Sequence, residues 1–451
     1  MTHLQASLGF LAPWMTRQRW FANKGTNPEL EEIGSWHYDT AEPGVEIVTH
    51  LLLDHTVGKP ALYQVPLTYR SSPIEGASSL VGELDGTWVY DAPHDPAYTA
   101  ALLAVMSVGA EITGDHTHVF GRHTAGTVAS GLASRVLTGE QSNTSIIFEL
   151  PGATPIICKL FRALHDGDNP DVVLQTALAE AGSDAVPPPI GHIVAEWDDR
   201  GEASGRARGH LAFAQEFLPG VEDAWRVALA AAGAGIDFSV EARALGVATA
   251  SVHATLAATM PTAATTPSDI AEVIETMNGR LAAAIAEVPA LAEYATAVRE
   301  IFAAAAGAEW PAQQRIHGDY HLGQVLSVPG RGWVLVDFEG EPLRPMHERS
   351  RLDSPIRDIA GMLRSFDYVA GSLSVGGASS AREWAAAART AFEEGYSAAS
   401  GYDIAGNRAL VDAFEIDKAL YETVYEARNR PSWVPIPVEA IQRLASRASR
   451  A

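Results

Sequence analysis

Cysteine and positive charge are both scarce in this sequence. A single cysteine, Cys158, among 451 residues rules out an internal disulfide, and such sparse use of cysteine fits a reducing compartment. Only 32 Lys and Arg residues stand against 55 Asp and Glu residues, which gives a formal net charge of −23. This balance argues against nucleic acid or an anionic membrane surface as the main partner, because both attract basic patches.

Long apolar runs are also missing. No stretch reaches the roughly 20 apolar residues of a membrane-spanning helix, and the first twenty residues have no basic segment ahead of a sustained apolar run. We therefore expect a cytoplasmic protein with no membrane partner. Hydrophobic residues still make up 47% of the chain, and a chain of this length is long enough for two or three hydrophobic cores.

Residues 315–342, RIHGDYHLGQVLSVPGRGWVLVDFEGEP, form the most informative segment. Two strand-like pieces on either side of a Pro-Gly-Arg-Gly turn predict a hairpin over 324–336. Asp319 lies shortly before the first piece, which begins with Gln324, and Asp337 follows the second piece. The hairpin is therefore expected to present oxygen-bearing side chains at one end.

These three side chains match a chemical requirement. Phosphoryl transfer from a nucleotide needs a carboxylate that orients an attacking hydroxyl and accepts its proton, and two oxygen-bearing side chains that hold Mg²⁺. Asp319, Gln324 and Asp337 supply such a set. A single aspartate in a loop more often caps a turn, but the spaced set of three favours a kinase-type site.

The same segment resembles the catalytic and metal-binding loops of aminoglycoside and choline phosphotransferases, which have a protein-kinase-like fold. In these enzymes His-Gly-Asp is followed five residues later by an amide, and a second Asp ends the next hairpin strand. The resemblance implies that Asp319 is the catalytic base and that Gln324, in place of the usual Asn, and Asp337 are the metal ligands.

A nucleotide site is expected upstream. The loop GEQSNTS, residues 139–145, is rich in small polar residues whose backbone amides could face a phosphate, although a plain hairpin turn is the commoner role of such a loop. By the resemblance, the loop covers ATP through residues that include Ser142, Asn143 and Thr144.

Lys159 lies in an otherwise apolar strand, where a buried ammonium is costly without an anionic partner. An edge-strand lysine that faces water is the alternative. The downstream acidic set favours a lysine that holds the α- and β-phosphates of ATP. Its carboxylate partner is expected on the following helix, as either Asp171 or Glu180.

The segment HLAFAQEFLPG, residues 210–220, reads as a strand that runs into a linker. By the resemblance this is the hinge between two lobes, where backbone groups of residues 215–218, including Gln215 and Phe217, contact the adenine.

Beyond residue 220 the composition becomes helical and rich in alanine. Apolar residues at spacings of three and four predict helices over 222–233, 239–258, 268–286 and 288–306. His253 lies on one of these apolar faces, where a hydrogen-bonded core histidine is the favoured interpretation. Asp358 opens a later helix, where an acid by default interacts with the helix N-terminus. The resemblance to kinase-like folds implies that it also supports the loop around His317.

A helix over the stretch DAFEIDKALYETVYEARNRPSWVPIP, residues 412–437, places Lys418, Tyr421 and Tyr425 on one face. Aromatic rings and charged groups together are suited to a sugar, because rings pack against C–H faces and polar groups bind hydroxyls. An amphipathic helix with half-buried tyrosines is the alternative.

This stretch, together with QRWFANKG near the N-terminus, resembles actinobacterial maltokinases. The resemblance implies that Lys418, Tyr421 and Tyr425 contact the sugar, with Arg430 and Trp433 as further candidates. It covers nearly the whole chain and implies an α+β, bilobal protein-kinase-like fold. The expected parts are an N-terminal cap subdomain (1–110), a β-rich N-lobe (111–216) and an α-helical C-lobe (217–451).

The activity implied is the ATP- and Mg²⁺-dependent phosphorylation of maltose at the anomeric hydroxyl, giving maltose 1-phosphate for α-glucan synthesis. An aminosugar (glucosamine) kinase on the same scaffold is the nearest alternative, and the acidic charge balance suits its cationic substrate. A pseudokinase-like binding module is a third possibility, against which Lys159, Asp319 and Asp337 speak.

Overall fold

The computed structural model describes residues 3–56, 60–76, 78–126, 128, 131–137, 143–152, 154–199, 205–341, 344–375 and 381–448. Two compact units divide the chain. The first consists of Met1–Thr176 and Pro187–Pro219, and the second consists of Ala177–Val186 and Gly220–Ala451. Strands dominate the first unit and helices the second, which confirms the predicted α+β class. Among the described helices, none is long and apolar enough to cross a membrane.

The first unit begins with helix α1 (His3–Met15) and an antiparallel sheet in the order β1-β2-β3-β5-β4. The strands are β1 (Leu30–Tyr38), β2 (Val45–Asp54), β3 (Ala61–Arg70), β4 (Leu80–Leu84) and β5 (Thr87–Asp91). Because side chains alternate along a strand, Tyr63, Val65 and Leu67 of β3 face one core, which they share with Trp20 and Phe21. The aromatic part of the QRWFANKG motif is therefore packed inside this unit.

A second sheet follows a short 3₁₀ helix (Ala92–His94) and α2 (Pro96–Val108), whose N-terminus is capped by Asp95. Its seven antiparallel strands are arranged in the order β6-β7-β12-β13-β10-β9-β8. The elements of this part are β6 (Glu111–Thr113), β7 (Thr117–His123), β8 (Ala133–Val136), β9 (Asn143–Glu149), β10 (Ile156–Phe161), β11 (Ala163–Leu164), α3 (Pro170–Glu180), β12 (Pro189–Asp198) and β13 (Arg206–Glu216). The short β11 leaves this sheet and pairs with β3 of the first sheet.

Arg162, the residue between β10 and β11, is fully buried and joins the two sheets of the first unit. Its Nη2 donates to both carboxylate oxygens of Asp91, at 2.8 and 2.9 Å. Its Nε donates to Thr144 Oγ1 at 2.8 Å, and the guanidinium carbon lies 5.0 Å from the ring centroid of Trp20. One buried cation therefore holds the end of β5, the start of β9 and the segment after α1 together.

The second unit is mainly helical, with a three-stranded sheet in the order β14-β15-β16. Its elements are β14 (Glu222–Asp223), α4 (Ala224–Ala234), α5 (Ser239–Thr259), α6 (Pro267–Glu287), α7 (Ala295–Ala306), β15 (Val325–Val328), β16 (Gly332–Leu335), α8 (Met346–Arg349), α9 (Ile356–Val375), α10 (Arg382–Ser400), α11 (Arg408–Asn429) and α12 (Pro435–Ala448). Helices α5 and α10 approach closely at Gly246 and Gly395. A Cβ atom at either glycine would meet the backbone of the other helix.

The predicted helices 239–258 and 268–286 are confirmed to within one residue at each end as α5 and α6. The helix predicted over 222–233 begins later, since 222 and 223 pair with β15 and Asp223 caps α4 by accepting from the Arg226 amide. The stretch predicted as one helix over 288–306 is a 3₁₀ helix, Pro289–Tyr294, followed by α7. Pro289 follows the last residue of α6, Glu287, by two positions and has no N–H with which to continue that helix.

We expect Asp91→Ala to destabilise the protein by about 3–5 kcal/mol, because it leaves the buried Arg162 guanidinium without its carboxylate. Urea unfolding followed by tryptophan fluorescence measures this loss. Glu149→Ala is the matched control, since the ion pair of Glu149 with Arg135 is exposed and should cost less than about 1 kcal/mol. Equal losses in the two variants would contradict the structural role of Arg162.

Candidate active site

The β15–β16 hairpin positions the three residues predicted from the sequence. Asp319 lies in the loop before the hairpin, and Gln324 ends a short 3₁₀ helix, Leu322–Gln324, directly before β15. Asp337 follows β16 by two residues. Gln324 Nε2 donates to Asp337 Oδ2 at 3.1 Å, so the ends of these two side chains meet.

The backbone at Asp337 has an unusual conformation. Its φ angle is +67°, in the left-handed region that residues other than glycine seldom adopt. Such strain persists only where the surroundings fix it, and it is frequent at functional sites. Here the neighbouring Val336 carbonyl accepts from His317 Nε2 at 3.0 Å, and the Phe338 ring packs against the His317 ring with centroids 4.6 Å apart.

Asp358 at the start of α9 holds the loop that carries Asp319. Its two carboxylate oxygens accept from the backbone amides of His317, at 2.8 Å, and Gly318, at 2.9 Å. The expected support of this loop by Asp358 is therefore present. Gly318 has a φ angle of +84°, which a residue with a side chain would adopt only under strain.

His253 completes this support from α5. Its Nε2 lies 3.0 Å from Asp358 Oδ2, and its Nδ1 lies 3.0 Å from the Tyr396 hydroxyl. Burial by itself would raise the pKa of Asp358, but the hydrogen bond from His253 and the loop amides outweigh burial and lower it. His253 is thus a buried, hydrogen-bonded histidine, as favoured from its position on an apolar face. Its link to Asp358 had no signal in the sequence.

Lys418 of α11 reaches the same loop. Its Nζ donates to Asp319 Oδ1 at 3.2 Å and to Glu341 Oε1 at 2.7 Å. Burial would lower the pKa of Lys418, but Glu341 and Asp319 outweigh burial and raise it. The side chain predicted to contact the sugar therefore lies beside the predicted base as a charged ammonium.

Glu341 is a site residue that sequence reasoning missed. It is buried and accepts from Arg344 Nε at 2.9 Å as well as from Lys418. Burial would raise its pKa, but Lys418 and Arg344 together lower the pKa to about 2. The only signal in the sequence was a second acid after Asp337 in the motif DFEGEP, which has no chemical signature of its own.

The other candidate sugar residues follow along and after α11. The Lys418 ammonium lies 5.2 Å from the centroid of the Tyr421 ring, and Tyr425, one turn further on, is 43% exposed. The Arg430 guanidinium lies 5.8 Å from the Tyr425 ring and 4.5 Å from the Trp433 ring. The structure therefore brings Lys418 and Tyr421 to Asp319, and it groups Tyr425, Arg430 and Trp433 with one another.

In the first unit Lys159 has a carboxylate partner. Its Nζ donates to Asp171 Oδ2 at 2.8 Å, and Gln175 Nε2 donates to the other oxygen of Asp171 at 2.6 Å. Of the two candidates from the sequence, Asp171 is therefore the partner. It is fully buried in the first turn of α3, whereas Glu180 ends that helix and is exposed to solvent.

The remaining nucleotide candidates are placed as follows. Asn143 and Thr144 begin β9, and the Thr144 hydroxyl accepts from Arg162. Ser142 lies outside the residues that the structure describes. Gln215 is buried on β13, and the Phe217 amide donates to the Pro155 carbonyl at 2.7 Å, so that this amide is already used within the protein.

We expect Asp319→Asn to lower phosphotransfer turnover by about 10²–10⁴-fold, the usual contribution of a general base, while the melting temperature stays close to that of the native chain. A coupled assay of ADP release and a thermal melt measure the two quantities. Asp237→Asn is the control, since Asp237 accepts from Ser239 in an exposed turn. Full activity of the Asp319 variant would remove this residue from the chemistry.

Two segments of the chain match known protein families. Residues 14–95 match the maltokinase N-terminal cap domain. Residues 135–405 match the phosphotransferase enzyme family, and this match spans more than half of the 451 residues.

Two glucosamine kinases are similar to this chain over much of its length. A glucosamine kinase of Mycolicibacterium smegmatis is 29% identical over 406 residues, which cover 84% of this chain and 95% of the relative. A glucosamine kinase of Streptacidiphilus jiangxiensis is 29% identical over 321 residues, which cover 66% of this chain and 70% of the relative.

A solved structure, a glucosamine kinase in complex with glucosamine, ADP and inorganic phosphate, covers 98% of this chain and 100% of its own with a TM-score of 0.70. At 21% identity this similarity shows a common fold. The predicted kinase-like fold with an N-terminal cap, a β-rich N-lobe and a helical C-lobe is thereby confirmed. The chain belongs to the phosphotransferase enzyme family and carries a maltokinase N-terminal cap domain.

Proposed function

We propose that this protein transfers the γ-phosphoryl group of ATP to the anomeric hydroxyl of maltose and so forms maltose 1-phosphate for α-glucan synthesis. The observation that carries the proposal is the contact between Lys418 and Asp319. It places the helix face with Tyr421 and Tyr425 beside the carboxylate of the His-Gly-Asp loop.

Asp319 is the proposed base. It accepts the proton of the anomeric hydroxyl while that oxygen forms a bond to the γ-phosphorus, and the bond between the γ-phosphorus and the bridging oxygen of ADP breaks. Asp358 fixes the loop through two amides, so Asp319 needs little reorganisation before it acts. Lys159, held by Asp171, is proposed to bind the α- and β-phosphates. Asn143 and the backbone at Gln215 and Phe217, apart from the Phe217 amide that donates to Pro155, are also proposed to contact the nucleotide.

Gln324 and Asp337 would hold Mg²⁺. The ends of the two side chains are 3.1 Å apart, which is close enough for both to bind one ion, and amide and carboxylate oxygens are the hard ligands that Mg²⁺ prefers. A half-turn of the side-chain amide brings the Gln324 oxygen to the position of Nε2, so Gln324 fits as an oxygen donor. When bound, the ion would offset the negative charge that develops on the phosphate oxygens.

The aromatic residues support a substrate with two sugar rings. Tyr421 and Tyr425 are four residues apart on α11, about 6 Å along the axis at 1.5 Å per residue, a distance comparable to the length of one hexose. Tyr425, Arg430 and Trp433 extend this surface away from Asp319. Exposed aromatic rings pack well against the C–H faces of a second glucose unit.

The charges beside this surface favour a neutral sugar. Three buried or half-buried carboxylates, one beside Lys418 and two on α11, already have cationic partners: Glu341 has Lys418, Glu422 has Arg364 at 2.8 Å, and Glu426 has Arg430 at 2.7 Å. An aminosugar would have to compete with these cations for a carboxylate.

A glucosamine kinase is the second candidate. It is favoured by the 29% identity to a glucosamine kinase over 84% of the chain, and the net charge of −23 suits a cationic substrate. The similarity extends along the whole fold, however, and does not by itself identify the groups that face the acceptor.

A panel of maltose, glucose and glucosamine, assayed by ADP release and by ³¹P NMR of the products, tests the proposal. We expect maltose to have the highest kcat/KM and the phosphate to be on the anomeric carbon.

Tyr425→Ala should raise the KM for maltose about tenfold, the effect of losing one packed aromatic contact of about 1.4 kcal/mol.

The control for the ring is Tyr425→Phe, which keeps the aromatic face and should keep the KM for maltose. A higher kcat/KM for glucosamine than for maltose would support the second candidate instead. Phosphorylation of none of the three sugars would contradict both.

A further inference from the structure

Two carboxylates share the Lys418 ammonium, and the predicted base is the weaker of the two partners. The distance from Nζ to Glu341 Oε1 is 2.7 Å, against 3.2 Å to Asp319 Oδ1. The Glu341 side chain is 6% exposed, whereas that of Asp319 is 21% exposed. Charges attract more strongly where less water surrounds them, so both the distance and the burial favour Glu341.

The position of Glu341 is itself fixed by a chain of ion pairs. Arg344 donates to its second oxygen at 2.9 Å and lies 3.7 Å from Asp353. Asp353 in turn accepts from Arg357 of α9 at 2.6 Å. Glu341 therefore cannot follow Lys418 if the ammonium moves towards Asp319.

We propose that Glu341 is a positioning residue that draws the Lys418 ammonium towards itself and so weakens its pairing with Asp319, which leaves the carboxylate of the base available to the attacking hydroxyl. This inference rests on the proposed role of Asp319 as the base. Lys418 remains close enough to bind the sugar, with the Tyr421 ring on a further side of the ammonium. Without Glu341, the ammonium would pair with Asp319 alone, and the hydroxyl would have to compete with a close ion pair.

A double-mutant cycle tests this coupling. The variants are Glu341→Gln, Lys418→Met and the combination of both, assayed with whichever sugar of the panel is phosphorylated. We expect Glu341→Gln to lower kcat by about twentyfold or more and to change the KM for ATP by less than about twofold. In the Lys418→Met background the same replacement should change kcat by less than about twofold, since the ammonium that it releases is gone.

Equal fold-changes of kcat in the two backgrounds would overturn the proposal, because Glu341 would then act independently of Lys418. The control is Glu348→Gln, an exposed glutamate seven residues further along the chain, which should leave kcat unchanged. If Glu341→Gln fails to fold, Glu341→Asp replaces it in the cycle. This variant keeps the charge but shortens the reach by one methylene, so we expect a smaller loss of kcat that again disappears with Lys418→Met.

ADP release from ATP in the absence of any sugar separates this inference from the choice of substrate. Water then replaces the sugar hydroxyl: its oxygen bonds to the γ-phosphorus, Asp319 accepts its proton, and ADP leaves. We expect Glu341→Gln to lower this rate and Lys418→Met to raise it. Changes in the same direction would contradict the inference, whereas a panel in which maltose is not phosphorylated would contradict only the proposed function.

Discussion

The site depends on two hydrogen bonds that consecutive backbone amides donate to the Asp358 carboxylate. It fixes His317 and Gly318, and the next residue is Asp319. A buried carboxylate is costly unless every oxygen is hydrogen-bonded, and here the two amides and His253 meet that requirement. The same contacts that make the buried charge tolerable therefore determine where the loop with Asp319, the proposed base, lies.

The interior around α11 follows the same rule on a larger scale. Glu415 is buried between Arg389 and Arg443, at 2.8 and 2.9 Å, and Asp367 lies 2.7 Å from both Arg364 and Arg443. In such a network every acid has a cationic partner, and Arg443 is shared by Asp367 and Glu415. This pairing allows a protein with a net charge of −23 to keep many acids inside. Removing one cation would leave a buried acid with fewer partners. The pairing also leaves the aromatic faces of Tyr421 and Tyr425 as the groups that a neutral ligand would meet.

The first unit shows that the cap is not a separate module. The short β11 pairs with β3, and Gln64 of β3 donates to the carbonyls of Phe161 and Leu211 at 2.7 and 2.6 Å. Together with Arg162, these contacts make the sheet that contains Lys159 continuous in its packing with the sheet of the cap. Lys159 lies on β10, only three residues before Arg162. The contacts of Arg162 therefore fix the end of the strand that carries the lysine.

The sequence by itself determined the hairpin and its three polar side chains, because they lie within twenty residues and their spacing is set by local turn and strand geometry. It also determined α5 and α6 of the second unit, whose apolar periodicity is a local property, but neither the later start of α4 nor the 3₁₀ segment before α7. For Lys159 the sequence limited the possible partners to two acids on one helix. The tertiary structure shows that the partner is Asp171, the buried one of the two.

Only the tertiary structure decided which distant residues meet. Lys418 and Asp319 are 99 residues apart, and His253 and Asp358 are 105 residues apart. No periodicity connects such pairs, since their contact depends on how whole helices pack. Glu341 illustrates the reason: in the sequence it is one acid among 55 Asp and Glu residues, and it acquires a role only because folding buries it between Lys418 and Arg344.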